Sequence, residues 1–195
     1  MSAAIRGAIP IVASVLAGHV NVPIVWGQFE TASTDTRTIY LPDLPLQGRR
    51  LSRYVYGYVV HEAGHIRHSD FSVLEQTKDD GLVRWILIAL EDPRIERAVS
   101  ADFLGARQYL VELTEELIAD GELMSDDAHL EPSLKAQNYL LLRASADLMG
   151  YAGMREAVQV RRARLVPLFP SGLIDRVDEQ LDALCTCKST GDVLV

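Results

Sequence analysis

Apolar positions recur every three to four residues along most of this chain, and one stretch breaks that rhythm. From about residue 3 to 18, Ile5, Ile9, Val12, Val15 and Leu16 fall on one stripe of a helix, and Gly18 stands where a helix would close. The texture then changes. Val20 to Phe29 is rich in Val, Ile, Trp and Phe, which favours strand. Turn residues fill Thr31 to Asp35, and Thr36 to Leu41 alternates again before Pro42. With Pro42 and Pro45 closing it, this region reads as a small antiparallel sheet. Helical periodicity returns afterwards. Ser52 can cap a helix running from Arg53 to about His68, and Asp79 or Asp80 the next, from Gly81 toward Val99. Further helices are expected over Gln108 to Asp120, Pro132 to Met149, Met154 to Val166 and Leu173 to Leu184. Gly121, Gly150-Tyr151 and Pro170-Ser171-Gly172 mark the breaks.

The class this implies is α+β and mostly helical. An N-terminal helix and a small sheet precede two helices with chemistry on them, and a C-terminal helical bundle follows. The expected division is a domain over residues 1–104 and a helical subdomain over 105–195 packed on it.

Composition narrows the picture modestly. With 48% apolar residues a core can form, and a formal net charge of -8 describes an ordinary acidic protein. Basic residues do not dominate, so nucleic acid is not an expected partner. The cluster Arg161-Arg162-Ala163-Arg164 reads as a solvated helix face. No apolar run reaches the roughly 20 residues of a membrane span. The first twenty residues faintly resemble a signal peptide, but Pro10 interrupts them and an amphipathic helix fits better. Cys185 and Cys187 make neither a zinc ribbon nor a disulfide framework and read as thiols of a reducing compartment. The expected location is therefore the cytoplasm.

The chemistry concentrates in YVVHEAGHIRH, residues 58–68. On a helix, residues four apart sit one turn up on the same face, so His61 and His65 present two imidazoles to one point. Glu62 lies about 100° round the helix from His61. It is badly placed to ligate with them, and well placed to take a proton from a water on a bound metal. That is the logic of the H-E-x-x-H motif, two zinc ligands and a general base in five residues. Val59, Val60 and Ile66 suit a helix inside a core, and small Ala63 and Gly64 leave room near the metal. His68 follows His61 by about 10.5 Å of helical rise, too far to share one ion with both histidines. It reads as a helix-end residue. The metzincin pattern fails, because His68 and Phe71 stand where it needs Gly and His.

A third ligand is needed, and the segment Ile88 to Glu96 (IALEDPRIE) supplies three carboxylates in an apolar stretch. Glu91 is the expected ligand, with Pro93 kinking the helix just after it. Asp92 and Glu96 are the alternatives. The acids not used would hydrogen-bond the far nitrogens of His61 or His65.

Both segments together resemble a gluzincin-type zinc metallopeptidase of minimal size. More closely, HEAGHIRHSDF with ALEDPRIE is similar to the metallopeptidase-like region of cobaltochelatase CobT-like proteins that carry a von Willebrand factor A domain. The resemblance covers about residues 36–100. It maps onto His61, Glu62 and His65 directly and onto Glu91 less closely. It implies a Zn2+ cofactor, and a von Willebrand domain following where this chain stops. An oxyanion-stabilising residue is also implied, with His129, Tyr109, Arg94 and Tyr139 all open.

The expected function is a zinc-dependent endopeptidase with Glu62 as general base, acting on a peptide or protein. Thr38, Ile39 and Tyr40 would form a sheet edge along which the substrate lies. The competing expectation is a catalytically silent zinc-binding module, or a chelatase-type accessory subunit, working with a von Willebrand factor A domain or an ATPase.

Overall fold

A computed structural model describes residues 3–123, 129–151 and 153–194. Among them are eight α-helices and one three-stranded sheet. The chain divides into two compact units, Met1–Ser69 with Ala98–Leu123, and Asp70–Arg97 with Met124–Val195. The division thus crosses the chain more than once, where the sequence suggested a single boundary after residue 104.

In the first unit, α1 (Ala3–Ala17) buries Ile9, Ala13, Leu16 and Ala17. Val12 and Val15 of the expected stripe lie on its exposed side instead. Gly18 closes the helix in the left-handed region, φ 69°, as expected. Ser14 donates its hydroxyl to the Pro10 carbonyl and accepts the Val22 amide, which ties the helix to the chain entering the sheet.

The strands are β1 (Ile24–Gly27), β2 (Ser33–Thr34) and β3 (Ile39–Pro42), in the order β1-β3-β2. β2 pairs antiparallel with β3, Ser33 opposite Tyr40, but β1 pairs with β3 in parallel, Ile24 opposite Ile39. The sheet is mixed, not purely antiparallel. The cause is local. Asp35 Oδ1 accepts the amides of Arg37 and Thr38, and Thr36 has φ 90°, which makes a tight β2–β3 turn. β1 then lies on the far side of β3 and runs the same way.

Helix α2 (Gly48–His68) begins a turn earlier than expected. Ser52 is not its cap. The Ser52 hydroxyl donates back to the Gly48 carbonyl from inside the first turn. Leu51, Val55, Val59 and Ala63 are buried as α2 packs on α1, β3 and α5 (Ala106–Ala119). The crossing with α5 is close. A Cβ added at Gly57 would stand 2.4 Å from Leu113 Cβ and 3.0 Å from the Tyr109 carbonyl oxygen. At one end of this seam Arg50 and Arg53 each bond Glu116, both at 2.8 Å, and Arg50 also reaches Asp120.

In the second unit, a short helix the periodicity had not shown, α3 (Phe71–Gln76), is capped by Asp70, which accepts the Ser72 amide. Helix α4 (Gly81–Asp102) runs on through Pro93; its last residues belong to the first unit. Leu90 packs with Leu140 and Ala144 of α6 (Pro132–Leu148) and with Leu181 and Leu184 at the end of α8 (Leu173–Ala183). Between them α7 (Met154–Leu165) carries the basic cluster. It is not simply solvated: Arg161 is buried and Arg162 bonds Asp175 and Asp178.

Candidate metal centre

The local sequence of α2 sets the first half of the site. The aromatic and β-branched residues before His61 bury one side of the helix, and His61 and His65, four apart, emerge half-buried on another. Their ring centroids lie 4.9 Å apart with planes at 76°, so the two imidazoles converge edge to face. Glu62 is buried, 5% exposed, one residue round the helix.

Neighbours on α2 hold this arrangement. His65 Nδ1 is 2.9 Å from Ser69 Oγ, and the Ser69 amide donates to the His65 carbonyl. A hydroxyl on Nδ1 fixes the ring, as a hydrogen-bond partner on the far nitrogen usually does for a metal-binding histidine. Tyr58 stands one turn before Glu62. Burial first, then the charges of Glu122 and Glu62, push its phenol above its ordinary value, with a hydrogen bond to Thr31 partly offsetting them. Tyr58 therefore stays protonated across the neutral range and able to donate. Neither Ser69 nor Tyr58 emerged from the motif. The signal was the same i,i+4 spacing that singled out the histidines. His68, at the helix end as expected, faces Asp102, Nε2 to Oδ2 3.5 Å.

The acidic residues of α4 fall into distinct roles. Consecutive helical residues diverge by about 100°, so Glu91 and Asp92 point in different directions. Glu91 is 1% exposed, and both its oxygens receive the Arg94 guanidinium, at 2.6 and 2.7 Å. Oε1 also accepts the Thr190 hydroxyl at 2.8 Å. Glu96 accepts the Tyr151 hydroxyl at 3.1 Å.

Two imidazoles one helical turn apart are the kind of pair that a zinc ion takes as two of its ligands.

One expectation fails clearly. Thr38, Ile39 and Tyr40 do not form a sheet edge, because β3 is the central strand and Ile39 and Tyr40 have neighbours on both sides. The Thr38 carbonyl is already taken by the Asp35 amide and the Thr34 hydroxyl. A substrate strand cannot add there. Of the oxyanion candidates, Arg94 is committed to Glu91, Tyr139 donates to Asp178, Tyr109 lies against Tyr56, and His129 is exposed.

No helix among the described residues is long and apolar enough to cross a membrane. Compared with protein-family models, curated proteins and solved structures, the chain finds no match.

Proposed function

We propose that this protein is a zinc-dependent hydrolase of peptide bonds, with His61 and His65 as metal ligands, a carboxylate as the third and Glu62 as general base. The observation that carries the reading is the convergence of the His61 and His65 rings on one side of α2 with the buried Glu62 beside them. A purely structural metal site has no use for an acid that is not a ligand. Bound zinc would supply a polarised carbonyl and a water acidified to a pKa of about 7. The chain's own groups do the rest. Glu62 takes the water's proton on a carboxylate oxygen and returns it to the leaving amine. Ser69 holds the His65 ring. The protonated Tyr58 stands one turn from Glu62 as a hydrogen-bond donor.

The test joins metal analysis of purified protein with a peptide-cleavage assay. Wild type should carry one zinc per chain. Glu62→Gln should keep the zinc while cleavage falls by about 10²–10⁴-fold, the usual contribution of a general base. His61→Ala should lose the metal. Equal cleavage by wild type and Glu62→Gln would remove the hydrolase reading. Zinc without any cleavage would favour a metal-binding interaction module.

A further inference from the structure

Within the first unit, α1 is apolar on two sides. One side buries Ile9, Ala13, Leu16 and Ala17. The other leaves Ile11 68% exposed and Val15 59% exposed, and Val20, just past the helix, is 88% exposed. From Gly7 to Phe29 the chain has no Asp, Glu, Lys or Arg. A helix that is apolar all round belongs in an interior, and bare contiguous apolar surface marks a contact with another molecule.

The shape of this face narrows the partner. Gly7, Ile11 and Val15 stand four apart and form one ridge along the helix. Pro10, Ser14 and Gly18 form the neighbouring row, and they line a groove of about 470 Å³. Ridge and groove lie side by side, so the face is complementary to itself. The ridge of one copy can enter the groove of another while its own groove receives the other's ridge. Helices that interlock through such rows cross at roughly −50°. Covering the groove strands no polar group at Ser14, whose hydroxyl already bonds the Pro10 carbonyl and the Val22 amide. His19 and Asn21, both exposed, give the groove a polar rim at its far end.

Charge points to the same partner. The formal net charge of -8 lies wholly outside residues 7–29. Two copies repel one another elsewhere and can meet here with no like charges opposed. An anionic lipid surface would face the same net repulsion, with Arg6 the one cation of α1 to offset it.

We propose that the outward face of α1 is a homodimer interface, in which a second copy of this chain seats its Ile11–Val15 ridge in the groove about a twofold axis.

The experiment is sedimentation velocity of the full chain from micromolar to hundreds of micromolar. Wild type should reach twice the mass of one 21.6 kDa chain. Ile11→Asp with Val15→Asp should raise the dissociation constant of the dimer about 100-fold or more, with the circular dichroism of wild type retained, since neither side chain is buried within one copy. Val15→Ser is the milder change if that variant does not fold, and should weaken association about 10-fold. A wild type that stays monomeric throughout would overturn the proposal. A dimer left intact by the ridge variants would overturn it too, placing the interface elsewhere. So would a monomer that cosediments with phosphatidylglycerol vesicles, which would make the face a lipid contact.

Discussion

At the scale of single residues, Glu91 shows what sequence can and cannot supply. The three carboxylates of IALEDPRIE were visible as acids needing partners, and a metal was one candidate partner. Glu91 finds its partners in Arg94, one turn on, and in Thr190, far along the chain. His61, Glu62 and His65 were legible because their relation is internal to one helix. Arg94 satisfies Glu91 from three residues on, a spacing present in the sequence but not distinguishable there from a solvated pair. The pair makes a sharp prediction. Arg94→Leu leaves Glu91 buried without its cation, and unfolding free energy should fall by about 3–5 kcal/mol, read by denaturant titration. Glu91→Gln with Arg94→Leu together should cost less than the sum, since neither charge is then stranded.

At the scale of elements, the long periodic helices were recovered, while one short helix and the pairing of the strands were not. Helix α3 has only six residues, none of them buried, so no apolar stripe announces it. The β-segments were found, but their pairing was set by the Asp35 turn, and a turn's consequence for strand order is not written in alternation. The seam of α2 and α5 offers a clean test. Gly57→Ala gains roughly 1 kcal/mol of helix propensity. It also drives a methyl into Leu113 Cβ and the Tyr109 carbonyl, and backbone cannot step aside as a flexible side chain would. Overpacking of this kind costs about 1–3 kcal/mol. The expected result is a net loss of stability, measured by thermal or chemical unfolding, and larger still for Gly57→Val.

At the scale of the molecule, the dominant response to solution conditions should be to acid. Glu116 is held below the usual glutamate value by its hydrogen bonds with Arg53 and then Arg50. Asp120 is lowered first by Tyr54, Asp70 by Ser72, and Asp192 by the amides of Lys188 and Ser189. Each of these carboxylates binds its proton less readily folded than unfolded. Their stabilisation is present above the ordinary carboxylate range and is lost as pH falls through the lowered folded values. Denaturant midpoints should therefore hold steady near neutrality and drop below about pH 4. Glu116→Gln should flatten that drop, whereas an unchanged acid limb would show the Arg50–Arg53 cluster to be irrelevant to it. The net charge of -8 vanishes near pH 5.1, so low protein concentration keeps precipitation from masking the effect. The C-terminal segment carries a consequence of its own. Arg94 and Arg97 grip the main-chain oxygens of Lys188, Cys185 and Cys187, not their side chains. Those three positions should accept many amino acids over evolutionary time, while Thr190 and Asp192, whose side chains are themselves used, should admit very few.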